Sequence, residues 1–443
     1  MRLFTALTLA LATTLWGCAQ PPLAHTEAPP QVATCPKDVP ADTRCLRGVD
    51  SAGAPYLIML PAQWNRVLVV HAHGGPALGA PQASRADEDA QRWAITVRAG
   101  YAWAGSVFRQ GGVAVRSAAE DTERVRRIFV QHVAQPRYTL LHGQSWGASV
   151  AAKAAEMYAA PGQRSPYDAV LLSSGVLAGG TRSYDFRLDL RVVYQHLCGN
   201  HPLSTEPPYP LWTGLPANST LTRAELARRV DACLGVRQTV AQRTPEQSRK
   251  LKTLVDVIRI PESSVLAHLN WATWHFQDIA QHRTGSGNPF RNDRVRYQGS
   301  DDDATLNASV LRYRADPQAT ARFAADTDLN GRIGVPVLTV HGIHDATAFV
   351  ELEHAFRQTM EQAGQGGRLV QVFSDHADHS YLSDPTYVAL FEALLRWVTD
   401  GEKPTPAALA QRCRHFEANF GAGCRLQPGY QPPPLSSRVA PRD

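Results

Sequence analysis

Five residues constrain this chain more than any other stretch: Gly143-Gln144-Ser145-Trp146-Gly147. Tyr138 to His142, just before them, is apolar and strand-like, and the run of small residues from Ala148 onward favours a helix. A turn that passes straight from strand to helix crowds the residues two before and two after its apex. Both must be small, and here both are glycine. The apex side chain, Ser145, is then thrown clear of the sheet. Such a turn needs a buried strand on one side and a packed helix on the other, so the rest of the chain should supply a layered α/β fold.

It does. Tyr56 to Leu60, Arg66 to His71 and Ala102 to Phe108 read as strands. Between Ala118 and Ala134, Val125, Ile128, Phe129 and Val133 recur at helical spacing, with charges on the opposite face. Ala169 to Ser173 is a further strand. The alternation resumes at Val335 to His341, followed by a helix burying Val350, Leu352, Phe356 and Met360, a strand from Leu369 to Phe373, and a last helix that Asp384-Pro385 opens and Gly401 ends. Strand and helix alternating in this way predict an α/β fold, with a mostly parallel sheet flanked by helices on both faces.

From Gly180 to Asp326 the pattern breaks into helical and loop-like sequence, with Thr222 to Glu225 as a capping box. An insertion of roughly 150 residues is far longer than a usual βα connection. The organisation expected is a leader at 1–17, a Pro/Ala-rich tether at 18–34, a core at 35–180 and 327–403, a large, mainly helical cap at 181–326, and a Cys-containing, Pro-rich tail at 404–443 whose last part is poorly ordered.

The amino terminus points to export. After Arg2, Leu3 to Trp16 is uncharged and apolar, the length of a signal-peptide core and too short for a permanent membrane span. Leu15-Trp16-Gly17-Cys18 resembles a bacterial lipobox, which makes Cys18 a candidate for lipidation and the cell envelope its destination. Ordinary cleavage after Ala19, giving a periplasmic or secreted protein, is the alternative. Setting Cys18 aside leaves six cysteines of the seven, an even number in an exported chain, and sequence neighbours suggest Cys35–Cys45, Cys198–Cys233 and Cys413–Cys424. The net charge of +5 is small for 443 residues, and with no run of like charge it excludes nucleic acid as a partner. A lipid at Cys18 would be the sole membrane contact, and no cofactor is expected.

A serine hydroxyl becomes a useful nucleophile only when a base takes its proton and a carboxylate orients that base. Asp345, just past the strand ending at His341, is the acid candidate, with Glu351 as runner-up. His379 is the base candidate, since it lies close to the last helix and precedes the small Ser380; His376 competes. His341 and His344 read as supports of the acid loop. His73-Gly74-Gly75-Pro76 follows the strand Arg66 to His71, and its glycines let the backbone approach a substrate with free N–H groups. Those of Gly74 and Gly75, with Trp146, would form an oxyanion hole.

Together the His73–Pro76, Gly143–Gly147, His341–Asp345 and His376–Ser380 motifs resemble the α/β-hydrolase superfamily over residues 50–180 and 330–403. The resemblance implies a serine hydrolase with Ser145, Asp345 and His379 as its triad and Gly74, Gly75 and Trp146 as oxyanion donors, acting on a small-molecule ester or peptide substrate. Two branches fit: secreted esterases, and the proline-iminopeptidase and tripeptidyl-aminopeptidase branch. A non-catalytic binding protein on the same scaffold is a third possibility. In the insertion, Trp271 and Trp274 stand three apart, so on an α-helix they share a face that either contacts substrate or forms the cap's own core. Asp326, Asp328 and Asn330 fit the first half of a calcium loop, but Val337 stands where its bidentate glutamate belongs. A polar turn is the expected reading there, with no metal.

Overall fold

The apolar runs of the sequence come together in one sheet because most of them need cover on both faces. The computed structural model describes residues 26–159 and 164–442. The leader and Cys18 lie outside the described residues. Nine strands are formed among them: β1 (Gln31–Ala33), β2 (Arg44–Val49), β3 (Pro55–Leu60), β4 (Val67–Ala72), β5 (Ala102–Ser106), β6 (Tyr138–Gln144), β7 (Ala169–Ser173), β8 (Val337–Gly342) and β9 (Leu369–Ser374). Their order is β1-β2-β3-β5-β4-β6-β7-β8-β9. Pairings from β1 through β3–β5 are antiparallel, and those from β5–β4 to β8–β9 are parallel. The sequence reading did not anticipate β1 and β2, and β1 takes up part of the segment read as a tether.

Alternate residues of the parallel strands serve two cores. Leu68, Val70, Leu141, Val170 and Leu172 pack against Val125, Ile128 and Phe129 of one flanking helix layer. Val69, Leu140, Leu171, Leu338 and Val340 face Trp93, Tyr387, Leu390 and Phe391 on the other. Each such side chain contributes about 1.5–3 kcal/mol when fully buried. The helices before β7 are α1 (Arg85–Arg92), α2 (Ala94–Arg98), α3 (Val115–His132) and α4 (Trp146–Met157).

Between β7 and β8 the chain is helical: α5 (Gly180–Ser183), α6 (Phe186–Cys198), α7 (Arg223–Leu234), α8 (Pro245–Ile258), α9 (Val265–Asn270), α10 (Phe276–Asp278), α11 (Asp303–Ser309) and α12 (Pro317–Thr327). These share a core of their own around Leu254, Leu269, Phe276, Phe290 and Phe323. Thr222 caps α7 by accepting the Glu225 N–H at 3.1 Å. The Glu225 carboxylate turns to Arg228 and Arg229, so the reciprocal box does not close.

After β8 come α13 (Glu351–Gln362), α14 (Asp384–Asp400), which ends at left-handed Gly401, and α15 (Pro406–Phe420). The segment beyond α15 is ordered, contrary to expectation. The Gln427 N–H donates to Phe373 O at 2.8 Å, and the Asp375 N–H donates to Arg425 O at 2.9 Å, so this segment runs along β9. Arg438 then pairs with Glu351 at 3.0 Å. Arg442 reaches Asp185 at 3.1 Å and Asp189 at 2.7 Å, at the start of α6. Proline content had suggested disorder; two arginines meeting buried carboxylates override it.

The three disulfides are those that sequence neighbourhood suggested: Cys35–Cys45, Cys198–Cys233 and Cys413–Cys424. The second joins α6 to α7, and the third holds the strap along β9 to α15. Among the described residues, no helix is long and apolar enough to cross a membrane.

Candidate active site

The strand order reverses at β4, which has β5 on one side and β6 on the other. In an open α/β sheet such a reversal leaves a crevice at the carboxyl ends of the strands, where ligands bind. Two of the sequence motifs sit there side by side. Ala72 at the end of β4 is in register with Gly143 of β6, so the His73–Pro76 loop and the Ser145 turn leave the sheet together.

The Ser145 turn is as tight as its glycines imply. A Cβ on Gly143 would lie 2.2 Å from Gly147 O, and one on Gly147 would lie 2.1 Å from Ala72 O. Ser145 itself has φ of 59°, a strained conformation for a residue with a side chain. Its Oγ lies 2.6 Å from His379 Nε2. His379 Nδ1 lies 2.6 Å from Asp345 Oδ2. The other Asp345 oxygen accepts the N–H groups of Thr347 at 2.8 Å and Ala348 at 3.0 Å. An acceptor at Nδ1 fixes the proton there, which leaves Nε2 free to accept the serine proton.

Burial would raise the Asp345 pKa, but hydrogen bonds from His341 and His379 outweigh it and hold the carboxyl at about 2. His341 lies between Asp345, at 3.5 Å, and Glu353, at 3.2 Å, and donates to Ala348 O at 2.8 Å. Burial would lower its pKa, yet the two carboxylates raise it to about 10. His341 therefore holds the acid loop as a buried cation.

The competing candidates point elsewhere. His376 Nδ1 is 2.7 Å from Ser374 Oγ. Glu351 opens α13 and pairs with Arg438. His344, read from the sequence as a support of the acid loop, is instead exposed and meets Asp375 at 3.0 Å.

Gly74, Gly75 and Trp146 line the same cavity as Ser145 and His379, a space of about 460 Å³. A Cβ at Gly74 would lie 2.2 Å from Gln144 Oε1, so any larger residue there would have to displace the Gln144 side chain. Trp146 is the first residue of α4, so its N–H has no partner within the helix. Arg85 donates to Gly74 O at 2.8 Å, and His275 to Pro76 O at 3.0 Å, tying the loop to α1 and to the insertion.

Trp271 lines this cavity and Trp274 does not. The expectation that the two share a face fails because Trp271–His275 is a π-helical turn, wider than the α-helix on which the spacing argument rests. Trp271 stacks on His275 with centroids 4.5 Å apart, whereas Trp274 lies beneath Arg223. The half calcium loop does not assemble either. Asp326 accepts the N–H groups of Val115 and Arg116, Asp328 takes the Thr181 N–H and hydroxyl, and Asn330 Oδ1 accepts the Arg332 N–H.

Among the cavity residues that sequence reasoning missed are Arg85, Arg92, Tyr184 and Arg187. From Tyr184 to Leu190 charged residues alternate with apolar and aromatic ones, so nothing local singles out Arg187 from Asp185 and Asp189.

No family model matches the chain, and no curated protein matches it. Solved structures do. It is similar to the rice cell wall degrading esterase LipA from Xanthomonas oryzae, at 15% identity and a TM-score of 0.41, over 86% of this chain and 99% of that one. It is also similar to feruloyl esterase B from Aspergillus oryzae, at 13% identity and a TM-score of 0.45, over 86% and 87%. Another esterase from Aspergillus oryzae aligns at 12% identity and a TM-score of 0.43, over 86% of each chain. The strand order with its reversal at β4, together with the strand–turn–helix at Ser145, gives this chain the α/β-hydrolase fold.

Proposed function

We propose that the protein is an exported serine hydrolase that cleaves a carboxylic ester through an acyl-enzyme. The observation that carries this reading is the continuous hydrogen-bonded relay from Ser145 through His379 to Asp345, facing a cavity that Gly74, Gly75 and Trp146 also line. His379 takes the Ser145 proton as Oγ attacks the ester carbonyl. The developing oxyanion is met by the N–H groups of the Gly74–Gly75 loop and of Trp146, each such donor being worth about 3 kcal/mol in the transition state. His379 then protonates the departing alcohol. A water, deprotonated by the same imidazole, releases the acid.

An ester is favoured over the aminopeptidase reading by the charge of the cavity. Binding a free ammonium terminus calls for a facing carboxylate. Among the described residues no Asp or Glu lines this cavity, and Arg85, Arg92 and Arg187 do. Export is supported by the three disulfides, which persist in oxidising compartments. Lipidation of Cys18 belongs to the same proposal, and acyl mass on the mature first residue would test it.

The test is direct. Short esters should be hydrolysed, aminoacyl-4-nitroanilides should not, and a fluorophosphonate should stop turnover while labelling Ser145. Faster cleavage of the anilides would reverse the choice between ester and amide. Absence of both turnover and labelling would leave a binding protein.

A further inference from the structure

Arg187 is a buried cation with no anion beside it among the described residues. It is 6% exposed, at the start of α6, and it lines the cavity that holds Ser145 and His379. Its Nη1 donates to Ser183 O at 3.3 Å, while its Nε has no partner among the described residues. Among those residues it forms no ion pair with any carboxylate. The guanidinium is held by rings: it lies 4.4 Å from the centroid of Trp271, 4.6 Å from Phe186 and 5.5 Å from Tyr184. Aromatic faces offset part of the cost of burying the charge, but they accept no N–H in the guanidinium plane.

The neighbouring residues make this unpaired charge specific. Asp185 and Asp189 flank Arg187 in sequence, yet both are taken by Arg442. The other buried arginine of α6, Arg191, is hydrogen-bonded to Thr273, His201 and Tyr209. Arg85 and Arg92 also line the cavity, but they share Asp89 at 3.4 and 3.8 Å, and Arg85 meets Glu88 as well. Of the three cavity arginines, Arg187 is the one left uncompensated. His268 and His275 nearby are held neutral, mainly by burial.

Resting on the hydrolase reading above, we propose that Arg187 seats a carboxylate of the substrate, so that the ester cleaved at Ser145 carries one free carboxylate besides its ester group. A planar guanidinium fork matches a carboxylate in the hydrogen bonds it can give. One negative charge balances the one unpaired cation, which favours a monoanion over a dianionic phosphate. The carboxylate belongs either to the acyl part, as in a half-ester of a dicarboxylic acid, or to the alcohol part.

The test compares matched esters on the full protein by titrating released acid. Monoethyl glutarate against ethyl valerate places the carboxylate on the acyl side. 3-(Acetoxymethyl)benzoate against benzyl acetate places it on the alcohol side. In at least one pair kcat/KM should favour the acid by about 30-fold, the lower end of what a buried charge pair is worth. Arg187→Met should abolish that preference, and Arg187→Lys should keep part of it. Thermal melts and fluorophosphonate labelling of Ser145 report whether the variants fold. If Arg187→Met does not, the wild-type comparison and Arg187→Lys still decide. Turnover of the neutral esters with no preference for either acid overturns the proposal and leaves the hydrolase reading standing. A preference that survives in Arg187→Met overturns it too. If no ester turns over and Ser145 resists labelling, the hydrolase reading fails and takes this inference with it.

Discussion

Asp345→Asn tests the relay through a detail of its hydrogen bonding. Oδ1 of Asp345 accepts two backbone N–H groups, from Thr347 and Ala348, while Oδ2 faces His379 Nδ1 at 2.6 Å. In the asparagine variant the amide oxygen must take the Oδ1 place, since an NH₂ there would face two donors. The NH₂ then points at His379 Nδ1, which must become an acceptor. The ring proton moves to Nε2, the nitrogen that faces Ser145 Oγ, and the base is lost with its geometry intact. Wrong-tautomer substitution at a serine protease triad costs about 10⁴ in kcat, or about 5.5 kcal/mol. We expect a loss of that size here, with KM little changed. The assay is kcat on a short 4-nitrophenyl ester, with the labelling rate of Ser145 by a fluorophosphonate alongside. Asp345→Ala should be no worse, because its ring is free to choose either tautomer. A variant Asp345→Asn that kept a tenth of wild-type kcat would refute this reasoning.

Three further outcomes are expected. Trp271→Ala should shift the preference among acyl chain lengths, because that ring lines the cavity, whereas Trp274→Ala should leave selectivity unchanged; equal shifts in both would contradict the π-turn geometry. Arg442→Ala should destabilise the fold by about 3 kcal/mol in urea unfolding, the low end for stranding buried carboxylates. The low end is chosen because the Asp185 pKa, raised to about 6 chiefly by burial, lets that group protonate; no change in midpoint would refute the strap. His341 has its pKa raised from 6.5, so its contribution to stability is full below pH 6.5 and lost as pH rises through about 10. Melting temperatures of wild type and His341→Gln should therefore converge across that window, and parallel curves would reject the buried-cation assignment.

What was legible in the sequence was what local sterics dictate. Gly143 and Gly147 admit no side chain, so the turn at Ser145 could be read from five residues. The parallel strands were legible because they are mostly apolar runs. What was not legible depends on long-range partners or on a change of helical pitch. Arg442 finds Asp189 across 253 residues, and nothing near Arg442 announces it. The Trp271–Trp274 pairing assumed 3.6 residues per turn, where the chain adopts a π turn. Arg187 looked like one charged residue among Asp185 and Asp189. Which of the three is left without a partner emerges only when the distant Arg442 is in place.

The strap along β9 also bears on how the protein behaves in concentrated solution. β9 is the last strand of the sheet, and an open strand edge is a template for pairing with another chain. Here the carboxyl end of that edge is occupied: Leu426 bridges Ser374, with the Arg425 and Gln427 backbone bonds on either side. The Cys413–Cys424 bond keeps the covering segment beside α15. Reducing that bond, or cutting the chain between Phe420 and Arg425, would loosen the cover over the end of a strand whose six residues are all buried. Aggregation through β9 would follow even though the residues around Ser145 were untouched.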